Sequence, residues 1–145
     1  MRADLQEILR ASFHRRTGRN LSDVAGSADL YHAPAVALMH GTQTDPIFCF
    51  ANLTAQRLWG YSWDDFIVMP SRLSAEADEQ AERERLLARA TAHGFIDDYA
   101  GVRIARDGQR FHITGVILWN VDDDQGTRRG QAAVFQPPPH ITRDA

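Results

Sequence analysis

The chain contains no lysine, only one cysteine and no long apolar run. All 16 basic residues are arginines, and 19 acidic residues offset them, so the net charge of -3 argues against nucleic acid as a partner. One cysteine excludes an internal disulfide, and the N-terminus lacks the apolar segment of a secretory signal, which predicts a cytoplasmic protein. No stretch approaches the roughly 20 apolar residues of a membrane-spanning helix, so we expect no membrane association.

What is present is the composition of an ordinary globular protein. With 145 residues, of which 43% are hydrophobic and 24% charged, the chain is long enough for one domain with a real core. We expect three parts: an N-terminal helix and connector over 1–33, the main domain over 34–136, and a loose tail over 137–145.

The N-terminal segment has a helical pattern. Residues 3–16 place Leu5, Ile8, Leu9 and Phe13 on one stripe of an amphipathic helix. Two interpretations of the stripe remain open: it packs against its own domain, or it packs against a partner chain. The second interpretation predicts a homodimer formed through these side chains.

The stretch PIFCFANLTAQRLWGYS, residues 46–62, changes from strand period to helical period at Asn52. An asparagine at this point accepts a hydrogen bond from the first turn of a helix, so Asn52 is the predicted N-cap of a helix over 53–59. Gly60 ends that helix because it tolerates a positive φ, and Ser62 caps another short helix.

Two strands precede this helix. Residues 34–41 and 47–51 are rich in strand-forming residues and are separated by a turn-forming cluster. Strict alternation in the second strand predicts that Phe48 and Phe50 share one face, with Cys49 on the other.

The longest helix is predicted over 74–93, with Ser74 as its cap and Gly94 just beyond its end. Its first half is nearly all charged, which predicts a solvated surface with an exposed pair between Glu79 and Arg83. The apolar residues expected to anchor this helix are Leu86, Leu87 and Ala90.

The C-terminal part is predicted to be β structure. Residues 95–121 alternate around Asp107-Gly108, a strong hairpin signal, and 131–135 form a last strand. The acidic stretch 122–126 lacks the distal glutamate of a calcium-binding EF-hand loop, so we interpret it as a solvated connection.

Several segments, taken in order, are similar to the MEKHLA domain family, whose members occur as stand-alone bacterial proteins and at the C-terminus of plant homeodomain leucine-zipper transcription factors. The matching segments are SFHRRTGRNL, HGTQTDPIFCFAN, WGYSWDDF, PSRLSAE, GFIDDYAGVRIARDGQRF and WNVDDDQGTRRGQAAVF. The resemblance implies an α+β, PAS-like fold: a five-stranded curved antiparallel sheet with helices on one face and an N-terminal amphipathic helix. It also implies a sensory or regulatory module with a small cavity, but no known ligand.

A cavity in this fold would be lined by aromatic and polar side chains together. Buried amides need partners that a ligand can supply, and Arg72 and Arg103 either pair with Asp97 or Asp98 or meet a ligand anion. The predicted pocket residues are Cys49, Phe50, Asn52, Leu58, Trp59, Phe66, Leu73, Leu87, Trp119, Gln131 and Phe135, with Arg72, Arg103 and Asn120 as polar anchors.

The sequence does not identify a cofactor, and a small organic ligand is compatible with the pattern. Flavin-binding PAS relatives form a covalent adduct with a cysteine on a helix, in an Asn-Cys-Arg-Phe-Leu type motif that is absent here, so we interpret Cys49 as a small buried residue. The histidines lack metal-ligand spacing. Haem-binding PAS relatives take a histidine from the region of His93, but an interaction with the negative helix C-terminus is the favoured interpretation.

The function predicted from the sequence is a non-catalytic module that binds a small molecule in an apolar cavity or contacts a protein partner. One alternative is a cone-shaped α+β enzyme of the ketosteroid-isomerase or polyketide-cyclase type, with His112 or Asp97 as its base. Another is a dimerisation module with a filled core and no ligand.

Overall fold

The computed structural model describes residues 2–139, with side chains from Asp4 onward. The helices are α1 (Arg2–Thr17), α2 (Leu21–Ala25), α3 (Leu53–Trp59), α4 (Trp63–Phe66) and α5 (Ala77–His93). The strands are β1 (Val36–His40), β2 (Phe48–Ala51), β3 (Phe95–Ile104), β4 (Arg110–Asp122) and β5 (Arg128–Phe135). Two 3₁₀ helices, Leu30–His32 and Ser71–Ser74, complete the described elements.

The strands form one antiparallel sheet of five strands in the order β2-β1-β5-β4-β3. The register shifts twice between β3 and β4, on either side of Tyr99, and Gly115 of β4, with a φ of 60°, lies within the second shift. Such irregularities bend a sheet and increase its twist. Helices α3, α4 and α5 pack on one face, and α1 and α2 pack on the other.

The helix signals around residues 52–66 are confirmed. Asn52 accepts a hydrogen bond from the backbone N–H of Ala55 over 3.0 Å, and Ser62 accepts one from that of Asp65 over 3.2 Å. Gly60 closes α3 with a φ of 81°. These caps satisfy backbone groups that a helix end leaves without partners.

Asn52 also holds the N-terminal end of β1. Its Oδ1 accepts from the N–H of Ala37 over 3.1 Å, and its Nδ2 donates to the carbonyl oxygens of Leu30 and Ala35 over 2.9 and 2.7 Å. The fully buried amide therefore joins three segments of backbone, and all of its capacity is used inside the protein.

Helix α1 packs on its own sheet. Leu9 and Phe13 are buried among the outer-face residues of β1, β4 and β5, whereas Leu5 and Ile8 are half-buried. Of the two interpretations of its apolar stripe, the structure selects packing within the domain, because Leu9 and Phe13 have no surface left for a partner. The segment 1–33 thus contributes to the same core as the main domain.

Two predicted details of the strands and helices are wrong. A bulge at Cys49 separates the pairs Met39–Phe50 and His40–Phe48, so Phe48 faces α3–α5 while Phe50 faces α1. One extra residue in a strand reverses the face of everything beyond it.

The other error concerns the start of the long helix. Helix α5 begins at Ala77 with Glu76 as the residue before it, whereas Ser74 ends the preceding 3₁₀ helix and its hydroxyl donates to the carbonyl oxygen of Ser71 over 2.8 Å. The connector 17–33 also contains α2, which its mixed composition did not predict.

Within the described residues, no helix is long and apolar enough to span a membrane. Of the predicted tail, Pro137 and Pro139 are exposed, and residues 140–145 lie outside the described part of the chain.

Candidate functional site

A cavity of about 50 Å³ lies between the inner face of the sheet and helix α5. Every strand contributes to its wall, and α3 and α5 close it from above. Its apolar wall includes Leu38, Phe48, Trp59, Ile113, Leu118 and Phe135. Its polar wall includes His40, Ser74, Arg83, Tyr99, Arg103 and Gln131. The cavity is therefore amphipathic, with enough polar surface to orient a ligand.

Arg83 is a buried cation at the edge of this cavity. It is only 7% exposed, and its Nη2 donates to the hydroxyl of Ser71 over 2.7 Å. None of the ion pairs among the described residues includes it. Burial lowers the pKa of Arg83 below its ordinary value, yet a guanidinium stays charged at neutral pH.

Arg103 is a second buried cation, contributed by β3. It is 6% exposed, and its Nη2 donates a hydrogen bond to the Tyr99 hydroxyl. Its Nη1 donates a second one to the carbonyl oxygen of the preceding residue, Val102, over 2.8 Å. Its guanidinium carbon lies 5.3 Å from the centre of the Tyr99 ring, within the range of a cation–π contact. Burial lowers the pKa of Arg103 and raises that of Tyr99, so the tyrosine is neutral at pH 7 and does not offset the charge.

His40 brings an unsatisfied polar atom to the same wall. The ring is 8% exposed, its Nδ1 lies 3.2 Å from the carbonyl oxygen of Gly41, and its Nε2 has no hydrogen-bond partner among the described residues. Because a carbonyl only accepts, Nδ1 carries the proton and Nε2 is left as an acceptor. Burial and the nearby charge of Arg83 lower the pKa of His40 to about 4, so the ring is neutral at pH 7.

A larger surface groove of about 480 Å³ adjoins the cavity. The loop 41–46 and helix α5 form its sides, and Arg128 lies on its wall. The groove and the cavity share the side chains His40, Arg83, Leu87 and Gln131. A ligand would enter the cavity past these residues.

Five of the residues predicted from the sequence line the cavity: Trp59, Leu87, Arg103, Gln131 and Phe135. Gln131 also meets protein partners, because its Nε2 lies 3.0 Å from the Leu87 carbonyl, the Thr91 hydroxyl and Asn120 Oδ1. Asn120 in turn donates to the carbonyl of Thr91 over 3.2 Å. The predicted anchor Asn120 therefore joins the sheet to α5 and does not line the cavity.

Three predicted pocket residues lie on the other face of the sheet. They pack in the core beneath α1 and are Cys49, Phe50 and Trp119. The bulge in β2 places Cys49 and Phe50 there. Trp119 lies there because it follows the cavity residue Leu118 in β4, and successive residues of a strand point to opposite faces. Cys49 donates its thiol proton to the carbonyl of Met39 over 3.7 Å, and burial raises the pKa of this thiol to about 11. It is poorly placed and poorly ionised for covalent chemistry with a ligand in the cavity.

The other predicted residues have structural positions. Leu58 and Phe66 are buried in the core around the cavity without lining it, and Asn52 is the backbone hub described above. Leu73 is 44% exposed, and Arg72 forms an exposed ion pair with Asp45.

The predicted pairs with Asp97 or Asp98 are wrong for both arginines. Asp98 pairs with Arg89 of α5, and the pKa of its carboxyl is lowered by that contact. Asp97 and His112, the bases of the alternative enzyme, are exposed and do not line the cavity. His93 is exposed at the end of α5 and does not line it either.

Three polar residues of the cavity wall were not predicted from the sequence: His40, Arg83 and Tyr99. For Arg83 a signal was available, because its spacing of four and seven residues from Leu87 and Ala90 places all three on one helix face. The predicted exposed pair with Glu79 is wrong, since Arg83 turns toward the sheet. For the part of the chain that is described, no group of His, Cys, Asp or Glu residues could hold a metal ion.

An antiparallel sheet in the order β2-β1-β5-β4-β3, with short helices and one long helix over its inner face, defines the PAS-like class of domains. The PAS domain of a protein from Colwellia psychrerythraea superposes with a TM-score of 0.65 at 13% identity, covering 77% of this chain and 92% of that one. A light-oxygen-voltage domain superposes with a TM-score of 0.60 at 12% identity, covering 72% and 78%. The light-state dimer of the fungal photoreceptor Vivid gives 0.56 at 16% identity, covering 70% and 76%.

The chain belongs to the MEKHLA domain family, whose sequence model matches residues 3–137, nearly the whole length. No curated protein matches it. The predicted family and the predicted α+β, PAS-like fold are confirmed.

Proposed function

We propose that this chain is a non-catalytic sensory module that binds a small molecule in the cavity between the sheet and α5. The observation that carries the proposal is a cavity whose wall contains the unpartnered Nε2 of His40 and two buried arginines, Arg83 and Arg103, that take part in no ion pair among the described residues. Burying a polar or charged group without a partner is costly, and a bound molecule offsets that cost.

The lining chemistry supports binding over catalysis. None of the described residues that line the cavity has a carboxylate or a thiol, and the hydroxyl of Ser74 donates to the carbonyl of Ser71. A nucleophile with an adjacent base, as covalent catalysis requires, is not assembled among these residues. Membership of a PAS-like family whose structural neighbours are sensory domains supports the same conclusion.

The route from cavity to surface passes through β4. Leu118 lines the cavity, and the next residue, Trp119, lies under α1 and contacts Phe13 and Ser12. Because a packed sheet transmits small displacements, occupancy of the cavity would shift α1. We propose that α1 carries the signal to a second copy through its half-buried residues Leu5 and Ile8, since Leu9 and Phe13 are used internally.

Native mass spectrometry of the freshly purified protein tests the binding proposal. We expect a persistent added mass in the wild type, its loss in an Ala133→Leu variant that fills the cavity, and its retention in the control Ala100→Leu on the exposed part of β3. A clean mass of the protein alone, with no compound recovered after denaturation, would instead indicate a dimerisation module with no ligand.

A further inference from the structure

We infer that the cavity binds a short organic anion, namely a small hydroxycarboxylate whose carboxylate is held by the guanidinium groups of Arg83 and Arg103. This inference rests on the proposed function and specifies the class of ligand.

The cavity wall contains two buried positive charges. Arg83 and Arg103 are both more than nine-tenths buried, and their described hydrogen bonds go to a serine hydroxyl, a tyrosine hydroxyl and a backbone carbonyl. Each of these acceptors is neutral, so two positive charges lie in the protein interior with no counter-ion in the described part of the chain. An unpaired buried charge is strongly unfavourable, and proteins resolve it with an opposite charge.

The chain has carboxylates nearby, but they do not reach these arginines. Glu79 and Glu84 lie on α5 and act through space on Arg103 and Arg83, respectively, but neither forms an ion pair with them. The exposed Glu84 lies in the outer groove beside the cavity. No described carboxylate thus serves as the counter-ion, and a bound anion would supply it.

The positions of the two arginines suit a single carboxylate. Arg83 extends from α5 and Arg103 from β3, so they approach the cavity from its helical wall and its sheet wall. Burial lowers the pKa of Arg83 most, and the charge of Arg103 lowers it further, in keeping with their positions on the wall of one small cavity. Guanidinium groups bind carboxylates with paired, charge-assisted hydrogen bonds.

The remaining wall specifies the rest of the ligand. Ile113, Val116 and Leu118 offer an apolar surface that an inorganic anion would leave unused. His40 Nε2 is an unpaired acceptor, which selects a donor such as a hydroxyl group. A cavity of about 50 Å³ holds on the order of four water-sized groups, which corresponds to a carboxylate of two to four carbons.

The test is calorimetric titration and thermal unfolding of the full chain with lactate as the probe. Lactamide has the same shape without the charge, propionate lacks the hydroxyl, and phosphate and nitrate are inorganic anions. We expect lactate to bind and to raise the unfolding temperature, propionate to bind more weakly, and lactamide, phosphate and nitrate to have at least tenfold lower affinity.

Two variants connect the binding to the arginines. Arg83→Met replaces the buried charge by an apolar chain of similar length, and Arg85→Met is its matched control on the same helix, where Arg85 is 69% exposed. We expect Arg83→Met to fold, as judged by circular dichroism, and to lose lactate binding at least tenfold, while Arg85→Met binds as the wild type does.

The possible failures are distinguishable. Equal binding of lactamide and lactate, or recovery of a neutral compound by native mass spectrometry, would overturn the anion inference and leave the proposed function standing. Equal binding of phosphate or nitrate would overturn the organic part of the inference. If no probe binds and native mass spectrometry detects no bound compound, both proposals fail.

Discussion

The indole N–H of Trp119 donates a hydrogen bond to the hydroxyl of Ser12 over 3.0 Å, between residues 107 positions apart. The ring of Phe13, next to Ser12, meets the Trp119 ring edge to face, with centroids 4.8 Å apart and planes at 80°. Aromatic pairs favour this geometry. These contacts fix α1 to β4, directly behind the cavity residue Leu118.

The first prediction concerns that hydrogen bond. A Ser12→Ala variant leaves the buried indole N–H without a partner, so we expect a loss of about 1–3 kcal/mol in the free energy of unfolding. Denaturant titration followed by circular dichroism measures it. The control is Ser22→Ala in the neighbouring helix α2, for which we expect a change below about 0.5 kcal/mol. Equal effects at both positions would show that the hydrogen bond contributes nothing.

The second prediction concerns the hub at Asn52. An Asn52→Ala variant removes four hydrogen bonds and leaves the buried backbone groups of Leu30, Ala35, Ala37 and Ala55 without these partners. We expect a loss of at least about 3 kcal/mol in the free energy of unfolding, measured by chemical denaturation.

The control for this variant is Asn20→Ala. Asn20 also precedes a helix, but its side chain makes no capping hydrogen bond. We expect the Asn20 variant to change stability by less than about 0.5 kcal/mol. If both asparagine variants lose the same free energy of unfolding, the effect comes from the preference of a helix N-cap for asparagine and not from the buried hydrogen bonds of Asn52.

The third prediction concerns Gly130 in β5. Its φ is 148°, and a Cβ added there would lie 1.9 Å from the carbonyl oxygen of His40 in β1. Because backbone cannot yield as a flexible side chain does, we expect Gly130→Ala to destabilise the protein by more than about 3 kcal/mol. The control Gly108→Ala has a φ of 87° but open space around it, so we expect only the roughly 1 kcal/mol cost of a positive φ. Thermal unfolding of both variants separates the clash from the φ cost.

The fourth prediction concerns pH. The pKa of His40 is about 4 in the folded protein against an ordinary 6.5, so between these pH values the unfolded chain binds more protons. Neutral His40 therefore makes its full contribution to the free energy of unfolding above pH 6.5, and this contribution is lost as the pH falls through 4. The contribution amounts to roughly 3 kcal/mol. The groups that act on His40 are Arg83 of α5, Arg128 and Gln131 of β5, and the carbonyl of Gly41.

The measurement is the free energy of unfolding of the wild type and of a His40→Gln variant at pH 7 and pH 4. Because glutamine does not titrate, we expect the variant to lose roughly 3 kcal/mol less than the wild type over this interval. His112→Gln, on the exposed side of β4, is the control and should follow the wild type. Parallel curves for wild type and His40→Gln would contradict the prediction.

The local elements of this protein follow from its sequence because their causes are local. Asn52, Gly60 and Ser62 form the caps that their side chains and backbone preferences predict. The hairpin centred on Asp107-Gly108 joins β3 and β4 as its turn signal indicates. The resemblance of several segments to the MEKHLA domain family then predicted the PAS-like fold.

Which face of the sheet a residue occupies is harder to predict from the sequence. Phe48 and Phe50 lie on opposite sides of the sheet because β2 contains one extra residue at Cys49, and such a bulge is defined only by pairing with β1. Trp119 was placed in the pocket, although its contact with Ser12 puts it on the other face. Which face a residue occupies depends on its strand partners and not on its own neighbours in the chain.

The sequence by itself determined the strands, the longer helices, their order and the amphipathic character of α1, because capping, turn and periodicity rules act over a few residues. Only the tertiary structure decided that α1 covers the outer face and that Arg83, within a helix of mostly charged residues, turns inward beside Arg103. Whether a charged side chain is buried depends on how its helix packs on the sheet. The environment of Arg83 also includes Ser71 and Arg103, which lie 12 and 20 positions away in the chain on other elements.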